Sequence, residues 1–593
     1  MKAFTEPLLS LAGFEEMTKT AEKSSGLISV TGCIDAQKSQ MIYAFGGHRK
    51  NKLIVTFGEQ KAKELYDEYS FFDKEVVYYP SKDVLFYQSD IRGNLLTAER
   101  IRALKAIREQ ERVTLVTTFD ALMNTMAPIE KMWENVLTLE QGQLLDLKEI
   151  QAALIRMGYE KEYQVQTMGQ FSVRGGILDV FPLTEENPIR IELWGDEIDT
   201  IRYFDCESQK SIENIDRVSI YPAAELVLSD EEKAGGIDKL KAEAKRVSDK
   251  LRKQMKTEEA HRVTVMADEL TEEWGELSMY AGMDAFLSYF FDERVGLLDY
   301  FNPSDSLIFF DELTRCTEQG KLTETEFSES MKQRLAMGYI LPGQMNGLFT
   351  EKEIVAKLEK YSCIALGALD NKANGLHQLG SYGIHCQSVS PYNNSFELLI
   401  KDLKRYKKNG YRVILLSGSR TRAKRLSEDI TDQGITCFYT ENYDHELFEG
   451  QIMVCYGKVR RGFEYPILKF AVITESDIFG AQQKKKKRHR TYEGEKIQSF
   501  TDLSVGDYVV HENHGLGIYR GIEKLEVDKK VKDYIKIEYQ GGSNLYILAT
   551  QLDMIQKYAG KDARKPKLNK LGGQEWTRTK NRVRGAVKQI AGD

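Results

Sequence analysis

Short apolar runs alternate with helical stretches over the first 130 residues, and this rhythm constrains the chain more than any other feature. Leu27-Ile-Ser-Val-Thr31, Leu53-Ile-Val-Thr-Phe57 and Val113-Thr-Leu-Val-Thr117 have the length and β-branched content of buried strands. Between them, Leu95 to Ile107 places apolar residues at helical spacing. Strands separated by helices predict a parallel sheet covered by helices.

The rhythm breaks at about residue 131. A short helix (Leu147 to Met157) precedes strands with turn signals at Arg174-Gly-Gly176 and Glu186-Asn-Pro188, which predicts a small α+β domain over 131–222. A charged helical stretch runs from Ser229 to Thr257. The α/β pattern then resumes, with Ser306-Leu-Ile-Phe-Phe-Asp-Glu312 as its clearest strand. One α/β domain, 1–130 and 223–375, interrupted by an inserted domain, explains this order with the fewest units. Residues 376–480 read as a further α/β domain, with a helix from Phe396 to Lys408 leading into the strand Tyr411–Leu416. Residues 481–498 read as a linker, containing six Lys or Arg among the seven residues Lys484 to Arg490. Short strands over 499–560, with glycines at 506, 515, 517 and 521, predict a small SH3- or Tudor-like barrel. Residues 561–593 read as the start of a helix, with a helical pattern from Gln574 on and no capping signal at Asp593.

Composition narrows the function classes. Of 593 residues, 41% are hydrophobic and 29% charged, which suits folded domains. A net charge of −7 excludes a uniformly basic nucleic-acid coat but not a local basic stripe. The seven cysteines include no C-x-x-C pair and the eight histidines no H-E-x-x-H, so no disulfide framework or zinc site is expected. His511 and His514 are expected to be barrel structure rather than ligands. No apolar run reaches a membrane span, and the start lacks a signal-peptide pattern. A cytoplasmic protein with no membrane contact is the expectation.

One loop bears directly on chemistry. Gly32-Cys-Ile-Asp-Ala-Gln-Lys-Ser39 follows a strand and opens a helix, where a phosphate loop of pattern G-x-x-x-x-G-K-[ST] belongs. Gln37 stands where the second glycine is required. A Gln side chain is expected to crowd the phosphate cradle and to resist a positive φ. Lys38, Ser39 and the acid pair Asp311 and Glu312 complete the constellation, Asp311 being the candidate Mg²⁺ holder. The expectation is an inactive nucleotide loop. Two rival readings remain from the residues alone: a nucleotide hydrolase using the altered loop, and a sequence-independent DNA-binding protein using the basic linker, whose contact would weaken with salt.

The stretches Phe171-Ser-Val-Arg-Gly-Gly-Ile-Leu-Asp-Val-Phe-Pro182, Arg190-Ile-Glu-Leu-Trp-Gly-Asp-Glu-Ile-Asp199 and Tyr203-Phe-Asp205 are similar to the UvrA-binding domain of the excision-repair protein UvrB. The region Val76 to Asp83 is short where UvrB carries a long tyrosine-rich hairpin. Gly462-Phe-Glu-Tyr-Pro466, Val472 to Gly480, Val505 to Gly517 and Leu571-Gly-Gly-Gln-Glu-Trp576 resemble the bacterial transcription-repair coupling factors. The resemblance covers essentially the whole chain. It implies a degenerate UvrB- and helicase-like α/β domain with an inserted UvrA-binding domain, a further α/β domain, and an RNA-polymerase-interacting barrel.

It also implies an adaptor. UvrA would meet Arg174, Arg190 and Trp194, and the RNA polymerase β subunit would meet the barrel at Ile522 and Leu525. Alternation along Arg190 to Trp194 places Ile191 and Leu193 on one face and Trp194 among charges on the other. In this resemblance ATP, Mg²⁺ and most DNA contact belong to a translocase motor that these residues lack. The fragment itself is expected to use no cofactor and to catalyse nothing.

Overall fold

The computed structural model describes residues 1–45, 50–82, 94–206, 208–276, 283–480, 495–496, 503–511, 515–527, 530–548, 555–558 and 568–569. Helix α1 (Phe14–Lys23) leads into an alternating run. This run is β1 (Gly26–Thr31), α2 (Asp35–Phe45), β2 (Asn51–Thr56), α3 (Glu59–Tyr69), β3 (Val77–Tyr79), α4 (Asn94–Glu109) and β4 (Val113–Thr118).

The chain then leaves this layer. Helix α5 (Leu147–Arg156), capped by the Asp146 carboxylate on the amides of Lys148 and Glu149, packs on a separate sheet. That sheet is built from β5 (Glu160–Lys161), β6 (Gln170–Arg174), β7 (Ile177–Val180), β8 (Ile189–Trp194), β9 (Glu197–Phe204) and β10 (Ser211–Ile215), in spatial order β10-β9-β8-β7-β6-β5. It has its own core, with Ile150 and Leu154 of α5 against Phe171, Leu178, Ile189, Ile191 and Ile201. An antiparallel ladder between Leu137–Glu140 and Arg217–Ile220 joins the two ends of the insertion.

The charged stretch from Ser229 forms α6 (Asp230–Lys253), and a second helix, α7 (Thr257–Glu276), follows it. A Ser229/Glu232 capping box starts α6. The chain turns at Met255, whose φ of 62° cannot continue a right-handed helix.

Next come β11 (Ser306–Asp311), α8 (Leu313–Ala336), α9 (Glu351–Leu358), β12 (Ser362–Leu366) and β13 (Gln378–Gly383). These three strands return to the first sheet, whose order is β13-β1-β12-β11-β2-β4-β3, with every pairing parallel. The insertion therefore interrupts one continuous parallel sheet.

The domain boundary expected at 375/376 is corrected here, because β13 pairs with β1 and extends the first sheet to Gly383. Gln378-Leu-Gly-Ser-Tyr-Gly383 gives no apolar signal because it is an edge strand, half-buried or exposed along its length.

A third sheet is made by β14 (Gln387–Ser388), β15 (Arg412–Ser417), β16 (Phe438–Tyr439), β17 (Ile452–Tyr456), β18 (Phe463–Tyr465) and β19 (Phe470–Thr474), in order β14-β18-β19-β15-β17-β16. Helices α10 (Phe396–Lys408) and α11 (Arg420–Asp432) lie between its strands in the chain. Strand alternation in the first sheet sends Leu53, Val55 and Phe310 into one core and Ile28, Ile54 and Phe309 into another. The second core continues without a break into Ile414, Leu416, Met453 and Phe463 of the third sheet. Phe4 meets Phe71 and Phe72 edge-on and also packs against Tyr443, joining the two units at the chain start.

The last sheet contains β20 (Glu495–Lys496), β21 (Tyr508–His511), β22 (Gly515–Val527), β23 (Lys530–Glu538), β24 (Asn544–Leu548) and β25 (Ile555–Lys557). It is antiparallel throughout, in order β20-β25-β21-β22-β23-β24, over a core of Val509, Tyr519, Ile535, Ile537 and Tyr539. The basic run 484–490, the segment 571–576 and His514 lie outside the described residues.

Candidate functional site

The altered phosphate loop sits between β1 and α2. Gly32 has a φ of 77°, and a Cβ there would stand 2.1 Å from the carbonyl oxygen of Ile384, so only glycine fits. Two amides of the loop are already donating: Gly32 to the carbonyl of Ala368 at 3.2 Å and Cys33 to that of Gly367 at 3.0 Å. Ile384 in turn donates to the carbonyl of Thr31 at 2.9 Å. Gln37 is a helical residue without a positive φ, and its side chain is fully buried in the first turn of α2. Backbone of Gly367, Ala368 and Ile384 also packs beside Gly32.

Lys38 is buried and fully engaged. Its Nζ donates to Asp311 Oδ1 at 2.5 Å, Glu312 Oε1 at 3.1 Å and Asp35 Oδ1 at 3.1 Å. Thr56 Oγ1 donates to the other oxygen of Asp311 at 2.9 Å. Burial alone would lower the Lys38 pKa, but Asp311, then Asp35 and Glu312, raise it above the usual lysine value. Burial likewise opposes ionisation of Asp35, yet Lys61 and Lys38 bring it down to about 2. The sequence-predicted Lys38, Asp311 and Glu312 are thus brought together, as an internal ion cluster. Ser39 is buried beside them on α2.

On the inserted sheet, β6, β7 and β8 lie side by side, and their register aligns Ser172 with Asp179 and Asp179 with Arg190. Asp179 is buried, and both predicted arginines grip it. Arg190 donates through Nε to Oδ1 at 2.7 Å and through Nη2 to Oδ2 at 2.9 Å, while Arg174 Nη2 reaches Oδ2 at 2.8 Å. Arg190 also donates to Gln209 Oε1 at 2.8 Å, and its guanidinium stacks 4.3 Å from the Phe204 ring centroid. A paired, stacked guanidinium has few free rotamers, so the arginine pair presents a preorganised polar face.

Trp194 ends β8 and is 84% exposed. A register shift between Glu192 and Leu193 leaves Leu193 half-buried and Trp194 paired with Glu197. Leu144, bridged to the same Glu197, is a second exposed apolar side chain beside it. The sequence reading missed Asp179, whose signal was an acid inside the apolar strand Ile177-Leu-Asp-Val180. It also missed the neighbouring ion pair of Arg202 with Glu192.

In the last sheet, Ile522 lies on β22 opposite Ile535 and is 37% exposed, whereas Ile535 is buried. Farther along β22, the backbone of Leu525 pairs with that of Lys532 on β23. His511 is buried in β21.

Comparison with known proteins places two of these regions in recognised families. Residues 137–226 match the UvrB interaction domain, and residues 503–559 match the CarD-like/TRCF RID domain. The transcription-repair-coupling factor of Bacillus subtilis (strain 168) is 32% identical over 91% of this chain and 46% of its own length. That of Staphylococcus haemolyticus is 31% identical over 95% of this chain and 48% of its own. The chain is a homologue of the transcription-repair-coupling factors. It spans about half the length of the curated relatives it matches. Within this homologue of transcription-repair-coupling factors, Arg174, Asp179, Arg190 and Trp194 lie in the first matched segment and Ile522 and Leu525 in the second. The filled loop lies in neither.

Proposed function

We propose that these 593 residues are the N-terminal adaptor portion of a transcription-repair coupling factor. In this reading the inserted domain captures UvrA, and the antiparallel sheet over 499–560 is a Tudor-like barrel that adds a strand to the RNA polymerase β subunit. The observation that carries it is the exposed Trp194 beside two arginines locked on buried Asp179, on the open face of a sheet that matches the UvrB interaction domain. Trp and Arg are the residue types enriched at interface hot spots, and an indole standing clear of its own fold is available to fill a partner's pocket.

The first α/β unit is then a scaffold without turnover. With Lys38 held by three carboxylates and the Gly32 and Cys33 amides already donating, the reading assigns ATP and Mg²⁺ to a motor outside these residues. Binding of UvrA by the isolated segment 131–222 tests the reading. Co-elution of the two proteins in size-exclusion chromatography is expected; separate elution of a folded segment would remove UvrA from the proposal.

A further inference from the structure

The C-terminal ends of β15, β17 and β19 carry a feature that neither docking site uses. β15 precedes its neighbours in the chain, and the strands that follow it are added on both of its sides. Such a reversal of strand order opens a crevice at the carboxyl ends of the strands. Here that end is roofed by the segment 457–462. Gly457 donates to the carbonyl of Ser417, and Gly462 donates to the carboxylate of Asp477 at 2.7 Å.

Cations crowd this one edge. Arg420, Arg422, Lys424 and Arg425 project from the first turns of α11, and Lys458, Arg460 and Arg461 from the roofing segment; all are exposed. Three have carboxylate partners: Arg420 with Glu441, Arg422 with Glu475, and Arg460 with Glu64. Lys424, Arg425, Lys458 and Arg461 have no ion pair among the described residues. Glu428, Asp429 and Asp432 sit farther along α11 and reduce the field on that side. Tyr456 and Tyr439 back the cations, with Arg420 5.2 Å and Lys424 5.4 Å from their ring centroids. In a chain whose net charge is −7, a one-sided concentration of cations is a local property of this edge.

We infer that this edge binds the phosphate backbone of duplex DNA without reading its sequence. The unpaired cations lie on two elements, a helix start and the loop roofing the strand ends, so they form a two-sided rim rather than a single point charge. Long, exposed Lys and Arg side chains neutralise successive phosphates, releasing counterions, and this gives a contact whose strength falls steeply with salt.

Fluorescence anisotropy of the whole chain on a labelled duplex of arbitrary sequence, titrated at several salt concentrations, tests this. The triple variant Lys424→Gln, Lys458→Gln, Arg461→Gln is expected to weaken binding more than tenfold at low salt. Its slope of log K against log salt should be shallower by about 2.7, at roughly 0.9 per phosphate contact. Far-UV circular dichroism checks folding; if the triple variant misfolds, the single variants Lys458→Gln and Arg461→Gln carry the test, each expected to flatten the slope by roughly 0.9. A separate variant with Lys484 to Arg490 neutralised serves as the comparison. No duplex binding by the parent chain overturns the inference. So does an unchanged salt slope in the patch variants, including the case where neutralising 484–490 removes all binding.

Discussion

At the scale of single residues, the two arginines and the tryptophan of the inserted sheet are not equivalent. Arg190 satisfies the buried Asp179 twice and Arg174 once. Removing a partner from a buried carboxylate costs the fold itself, about 1–3 kcal/mol. Arg190→Ala should therefore lower both urea stability and UvrA affinity. Trp194→Ala should leave the unfolding midpoint unmoved and weaken UvrA binding by about 1–3 kcal/mol in a titration. Equal loss of stability in the two variants would contradict this division. Lys38 gives the larger effect. Lys38→Ala leaves Asp311 buried without its ammonium and should destabilise the first α/β unit by about 3–5 kcal/mol in urea denaturation. Alternation along β8 foretold the exposed indole, because strand geometry is local. Asp179 was not legible, since its two partners come from different strands and only the folded register joins them.

At the scale of elements, α3 meets the third unit through Glu64 and Arg460. Beside them lies Glu68, whose carboxyl is pushed up to about 7 by burial, with Asp35 and Glu64 adding to the shift and Lys61 and Arg460 opposing it. Between its ordinary value of 4.5 and about 7, the folded chain holds this proton and the unfolded chain releases it. Its contribution is full below that window and is lost as pH rises through it. Glu68→Gln should thus raise the thermal midpoint at pH 8 relative to the parent and flatten the pH dependence between 5 and 7. A midpoint unaffected by the substitution at pH 8 would contradict the assignment. On β22, the proposed polymerase contact predicts that Leu525→Arg abolishes binding of the polymerase β subunit while the near-UV spectrum of the last sheet persists; loss of that spectrum would identify Leu525 as core. Elements with strong periodicity were legible, α10 among them at both ends. Strand β13 was not, because parallel pairing at an edge demands no apolar run.

At the scale of the whole molecule, three of the four large sheets among the described residues form two units of cooperation. The first and third sheets share one core through Phe4, Ile54, Leu416 and Phe463. The inserted sheet keeps a core of its own around Phe171 and Ile191. Differential scanning calorimetry of the chain should show the two α/β layers melting in one transition and the insertion as a separable event. A substitution such as Ile191→Ala should move only the latter, by an amount set by the few kcal/mol that a buried aliphatic truncation costs. The insertion was readable as a change of rhythm, but the fusion of the two α/β layers was not: a core shared across some 400 residues has no local pattern to announce it.

The carbonyls of Gly367, Ala368 and Ile384 packed into the loop at Gly32 carry a consequence for descent. Placing glycine at position 37 would not by itself open a nucleotide pocket, because two later stretches of chain occupy the space beside Gly32. Reversal would require both to withdraw together, so a pocket closed in this way behaves as a ratchet.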